Sequence, residues 1–178
     1  NDMRGSLGAT LTDVAWVITA YAIANVIIIP MTSWLSQQFG RRNYFAVSIV
    51  IFTVASFLCG NASNIWELVM FRFIQGMGGG ALLVTAQTII TESYPVEKRG
   101  MAQAIYGMGV IVGPTLGPPL GGYLVDNFSW PYIFYINIPI GIIATLLTLT
   151  YVKSPKYGEK LKANQVDWWG ILFLTAFI

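Results

Sequence analysis

The sequence predicts an all-α integral membrane protein, and three observations carry that prediction. Hydrophobic residues make up 55% of the 178-residue chain and charged residues only 10%, against about 25% charged in an average soluble domain. With a mean hydropathy of +0.62, too little polar surface remains to cover a globule in water. Five apolar runs, at 14–35, 44–60, 65–91, 101–125 and 133–152, are long enough to span, since about 20 helical residues cross the hydrocarbon core. The third observation is residues 109–122, where Gly109, Gly113, Gly117 and Gly121 recur at every fourth position within a run that carries no charge. In a soluble helix each interior Gly costs about 1 kcal/mol against Ala and an interior Pro about 3 kcal/mol. In lipid the backbone bonds cannot be lost to water, and a ridge of small residues lets helices approach closely. Helices interrupted by Gly and Pro point to the moving or binding part of a transporter.

Connections between the runs are brief, at 36–43, 61–64, 92–100 and 126–132, so neighbouring spans run antiparallel. Only 153–167 is longer, and a further apolar run begins near Trp168. Arg41, Arg42, Lys98, Arg99, Lys153, Lys156, Lys160 and Lys162 fall in one set of alternate loops, and Arg4 alone falls in the other. Excess Lys and Arg mark the cytoplasmic side. That places 36–43, 92–100 and 153–167 inside and the segment before Asp13 outside. Trp16, Trp34, Trp66, Trp130, Trp168 and Trp169 stand at or near span ends, as an interfacial aromatic belt requires.

The expected organisation is a transmembrane bundle over 1–152, a cytoplasmic basic loop over 153–167, and the start of another span over 168–178. The basic loop suits anionic headgroups; nothing in it points to nucleic acid. A faint inverted repeat aligns residues 30–40 with 119–129, identical at Pro30/Pro119, Leu35/Leu124 and Phe39/Phe128. The first copy leaves the membrane inside and the second outside, as an inverted repeat demands. The chain opens at Asn1 in a polar segment and stops at Ile178 within an apolar run. An internal piece of a longer protein is expected.

Few residues can carry chemistry. There is no His, so a His-ligated metal site and a His proton relay are both excluded. Cys59, the single cysteine, lies in an apolar run and reads as a small buried hydrophobe. Arg72 lies several residues inside the third run. An intramembrane charge is costly and usually faces a bundle interior or water; snorkelling to the headgroups near Trp66 is the alternative. Glu67 is five residues earlier, a poor helical pairing distance, so a carboxylate on a helix outside this chain is the expected counter-charge. Asn25, Gln75 and Gln87 either hydrogen-bond between helices or line a substrate path. Gly76, Gly78, Gly79 and Gly80 suit close packing and local bending. The 109–121 ridge allows static packing, but Pro114, Pro118 and Pro119 favour a functional bend. Gly40, Arg41 and Arg42 form a tight cytoplasmic turn. It serves topology alone, or it latches carboxylates or helix C-termini on another bundle.

These residues resemble the major facilitator superfamily, and within it the EmrB/QacA-type drug/proton antiporters, over essentially the whole chain. Leu35, Gly40, Arg41 and Arg42 fit the family's cytoplasmic turn between its second and third helices, while Ser33, Gln37 and Gln38 replace the usual Gly, acid and Arg. Arg72, Gln75 and Gly76 match the family's helix-four Arg-x-x-Gln-Gly motif, whose Arg is tied to proton coupling. Gly109, Gly113, Pro114, Gly117, Pro118, Gly121 and Gly122 resemble the helix-five antiporter motif. Residues 130–141 look like the start of helix six, with Pro131 where an Arg often stands.

The resemblance implies the N-terminal half of a major facilitator fold, an inverted three-plus-three repeat here incomplete, comprising helices two to six. It implies export of hydrophobic or cationic drugs by alternating access, driven by a proton gradient with no cofactor, in the cell membrane. In a Gram-negative host it implies a periplasmic adaptor and an outer-membrane channel. A transporter of one specific metabolite is the alternative. A membrane enzyme lacks its constellation, since no nucleophile–base arrangement and no close carboxylate pair stands within a span.

Overall fold

The computed structural model describes residues 7–153 together with Gly5, Trp169, Gly170 and Phe173. The basic loop beyond Lys153 and most of the run after Trp168 lie outside the described residues. Six helices follow in order: α1 (Leu11–Phe39), α2 (Arg41–Gly60), α3 (Ile65–Ser93), α4 (Val96–Asn127), the one-turn α5 (Tyr132–Tyr135) and α6 (Asn137–Tyr151). Counting α5 and α6 together as Tyr132–Tyr151, five helical stretches among the described residues are long and apolar enough to cross a membrane.

Local chemistry sets the helix ends. Thr10 caps α1 in a capping box: its hydroxyl accepts the Asp13 N–H at 3.2 Å, and the Asp13 carboxylate accepts the Thr10 N–H at 2.9 Å. Asn64 caps α3 by accepting the Glu67 N–H at 2.9 Å, while the Glu67 carboxylate accepts the Ser63 N–H at 2.9 Å. Both pairings satisfy first-turn donors that a helix leaves free. α1 passes into α2 through Gly40 alone, at φ 82° and ψ 136°. That left-handed region suits Gly.

The loops expected at 36–43 and 92–100 are therefore much shorter than the sequence suggests. Ser36 returns its hydroxyl to the Ser33 carbonyl, so polar residues continue α1 rather than ending it, and α4 begins directly after Pro95. The expected span at 133–152 is broken at Ile136. Pro139 has no N–H to return to Tyr135, which accounts for the irregular turn there.

α3 is the centre of the bundle, packed along α1 on one side and α2 on the other. Its glycines make this possible. A Cβ on Gly76 would stand 2.6 Å from the Tyr21 carbonyl oxygen, and one on Gly80 2.7 Å from Asn25 Oδ1, so both face α1. A Cβ on Gly78 would stand 2.7 Å from the Phe52 nitrogen and 2.8 Å from the Ser48 carbonyl oxygen, on α2. α6 lies against α2, where Gly141 meets Thr53, and the ring of Tyr135 covers Gly60.

Two apolar clusters close the ends of this core. One gathers Val17, Cys59, Leu68, Trp130 and Phe134, and the other Ile28, Tyr44 and Ala81. Helix hydroxyls are satisfied at short range, as when Ser48 donates to the Tyr44 carbonyl and Thr53 to that of Ile49. Such back-bonding removes the need for water.

α4 stands apart. Every residue from Met108 to Leu120 is exposed, and a Cβ on Gly109, Gly113, Gly117, Gly121 or Gly122 would meet nothing within 4 Å. Pro114, Pro118 and Pro119 all lie within the helix, which continues through them. α4 is held to α3 by its first turns: Gln103 donates to the Thr91 hydroxyl at 2.5 Å, and the Tyr106 hydroxyl donates to the Leu83 carbonyl at 2.8 Å.

Gly76→Val forces atoms onto the backbone of α1 and should lower stability by about 1–3 kcal/mol. Gly100→Ala, at an α4 position with nothing within 4 Å, should gain up to about 1 kcal/mol of helix propensity. Thermal unfolding of the detergent-purified complete protein measures both, and equal effects at the two positions would contradict this packing.

Candidate functional site around Arg72

Arg72 points into the bundle rather than toward the headgroups. Its guanidinium carbon lies 4.3 Å from the centroid of the Tyr21 ring on α1 and 5.8 Å from that of Phe134 on α5. Nη1 donates to Gln75 Oε1 at 2.7 Å, one turn along α3. Glu67 is committed to the cap of its own helix. Among the described residues no carboxylate pairs with Arg72.

Gln75 is 1% exposed, and its amide bridges helices: Nε2 donates to the Ser56 hydroxyl on α2 at 2.6 Å. Ser56 in turn donates to the Phe52 carbonyl at 2.9 Å. Of the two roles open to Gln75, hydrogen bonding between helices is the one it fills. Gly76, its neighbour in the motif, faces the α1 backbone at Tyr21.

The other polar candidates lie elsewhere. Asn25 is half-buried against Gly80, and its Oδ1 has no hydrogen-bond partner among the described residues. Gln87 is exposed on α3. The residues 109–122 are not brought to Arg72 and present their glycines to open space.

The Gly40 turn binds partners of its own bundle. Arg41 makes an ion pair with Glu92 at the end of α3, and Arg42 donates to the Leu149 carbonyl in the last turn of α6. Two arginines opening α2 oppose that helix's dipole, but a carboxylate and a helix C-terminus attract them. Among the described residues the partners of the turn are thus Glu92 and the last turn of α6. Nearby, the Thr32 and Tyr44 hydroxyls share a buried hydrogen bond of 3.2 Å that ties α1 to α2.

Sequence reading missed Tyr21, Ser56 and Glu92. Glu92 was findable: it stands at the end of the third run, on the side of the membrane that Arg41 occupies. Nothing in the sequence distinguishes Tyr21 or Ser56 from other aromatic and hydroxyl residues in spans. Among the described residues no group of His, Cys, Asp and Glu could hold a metal ion.

A bundle of membrane-length helices with a guanidinium turned into its interior is the architecture of a membrane carrier. The sequence model of the Major Facilitator Superfamily matches residues 1–178, and the chain belongs to that family of transporters. It is 44% identical over 173 residues to the multidrug export protein EmrB of Haemophilus influenzae, covering 97% of this chain and 34% of that one. It is 39% identical to EmrB of Escherichia coli, with 97% and 33% covered. Against the fatty acid resistance protein FarB of Neisseria gonorrhoeae it is 43% identical, with 85% and 30% covered. The chain thus spans about a third of the length of these relatives. Among solved structures, the inward-open xylose transporter XylE of E. coli aligns with a TM-score of 0.67 at 22% identity, over 86% of this chain and 40% of that one. That likeness bears on the fold alone.

Glu92→Gln removes one end of an ion pair whose Arg41 side chain is 11% exposed. It should cost about 1 kcal/mol of stability, and the swapped pair Arg41→Glu with Glu92→Arg should recover most of it. Thermal unfolding of the four-protein cycle is the check, and strictly additive losses would contradict the pairing.

Proposed function

We propose that the chain is part of a proton-coupled exporter of hydrophobic and cationic compounds working by alternating access in the cell membrane. The observation that carries this reading is Arg72, a cation turned into the bundle that no carboxylate neutralises among the described residues. A carboxylate on the rest of the protein completes the site. While deprotonated it attracts Arg72, and when protonated it releases Arg72, so proton binding and arginine position exchange. Proton uptake and substrate release are coupled through that exchange.

The open glycine face of α4 supports the second half of the reading. A ridge without side chains, unoccupied by its own bundle, suits close contact with a helix of the other half. Its prolines suit a helix that bends as the two halves rock. Relatives named for multidrug export and fatty acid resistance favour apolar and amphipathic substrates over a single polar metabolite. The partners are the bilayer, the substrate and, in a Gram-negative host, a periplasmic adaptor with an outer-membrane channel. The proton gradient serves in place of a cofactor.

Ethidium efflux from energised cells expressing the complete protein tests the coupling. The expected result is efflux that a protonophore abolishes. Arg72→Ala should lower it about tenfold or more, because the lost charged hydrogen bonds are worth about 1.5–3 kcal/mol. Efflux with unchanged proton dependence in the variant would remove Arg72 from the mechanism. In the same assay, Gly113→Leu and Gly117→Leu should block transport, and full activity in both would reduce the ridge to tolerant surface.

A further inference from the structure

We propose that the Tyr21 ring and the Ser56–Gln75 relay form a neutral seat that holds Arg72 whenever its carboxylate partner is protonated. The seat thereby sets the pH at which proton binding frees the arginine. The inference rests on the coupling role proposed for Arg72.

The relay has a fixed direction. The Ser56 proton is spent on the Phe52 carbonyl at 2.9 Å, so the Ser56 oxygen can only accept. Only the NH2 end of the Gln75 amide can donate to it, as it does at 2.6 Å. The carbonyl end is thereby turned to Arg72, at 2.7 Å from Nη1. A flipped amide would set donor against donor at Arg72 and acceptor against acceptor at Ser56. Ser56 on α2 thus dictates what Gln75 on α3 offers the guanidinium. The Tyr21 ring on α1 covers its face at 4.3 Å, a cation–π contact that partial burial in the bundle strengthens.

A buried donor is left over. Arg72 Nε is buried and has no hydrogen-bond partner among the described residues. The seat therefore holds the guanidinium by a face and one Nη while keeping an N–H for an incoming carboxylate. The titratable side chains facing Arg72 from the packed elements are Tyr21 on α1 and Cys59 on α2. Neither is a carboxylate. On its own helix Glu67 is occupied by the Ser63 N–H, and Phe134 on α5 adds only a ring. The described seat contains no carboxylate, so it attracts Arg72 less than a deprotonated carboxylate does and more than a protonated one.

The sign follows. The seat stabilises Arg72 away from its carboxylate. Removing it leaves the arginine on the carboxylate, which then binds a proton less readily. Tyr21→Leu should therefore move the midpoint of the transport pH profile downward by about 1 pH unit, the size of a desolvated cation–π contact. Tyr21→Phe keeps the ring and should track the wild type. Ser56→Ala frees the amide to turn and should shift the midpoint in the same direction by less.

The experiment is ethidium transport by the complete protein in proteoliposomes across a pH series, beside thermal unfolding of the same variants. A Tyr21→Leu profile superimposed on wild type, or a Tyr21→Phe shift as large as that of Tyr21→Leu, overturns the seat. In unfolding, Tyr21→Leu should lower Tm less in an Arg72→Gln background than in the wild type. Additive Tm losses overturn the contact itself, whatever transport does. Wild-type transport indifferent to a protonophore would instead overturn the coupling role of Arg72, and the Tm cycle would still decide the seat.

Discussion

The close approach of α1 and α2 to α3 is the constraint on which the rest of this bundle depends. In a bilayer, helices gain nothing by hiding apolar surface from one another, because lipid is as apolar as they are. They associate through van der Waals contact and interhelical hydrogen bonds, and both require short distances. Gly76, Gly78 and Gly80 supply those distances by placing backbone against backbone on two faces of one helix. A relay only one amide long can then connect Ser56 on α2 to Arg72 on α3. The Tyr21 ring reaches the guanidinium for the same reason.

Burial of a guanidinium is costly in any apolar medium. Here the cost is offset by the Tyr21 ring and the Gln75 carbonyl, with no carboxylate partner among the described residues. Glu67 sits on the same helix within a turn and a half, yet the Ser63 N–H claims it. Helix capping thus has an electrostatic consequence one layer deeper, because it removes a competing carboxylate from the arginine.

At the other end of the bundle the opposite logic holds. Arg41 and Arg42 start α2, where the helix dipole disfavours them, and each reaches the end of another helix. The result ties α2 to α3 and to α6 at the same level. This end is cross-linked by charge, while the glycine face of α4 stays open.

Much of this was legible in the residues alone. The apolar runs, short links and absence of charge determined an all-helical membrane bundle, because hydrocarbon admits only backbone that bonds to itself. Arg72 and the 109–122 run stood out because each is expensive unless used. Helix ends were less legible: Ser36, Gln37 and Gln38 are polar yet helical, since Ser36 turns its hydroxyl back onto its own helix. Two glycine clusters looked alike in sequence, and only the tertiary structure separated them. Gly76, Gly78 and Gly80 are filled by neighbouring helices, while Gly109, Gly113 and Gly117 face open space. Spacing tells which glycines share a face but not what stands opposite it. For the same reason Tyr21, Ser56 and Glu92 came from the structure: their roles arise from contacts between helices, which the order of residues along one helix does not encode.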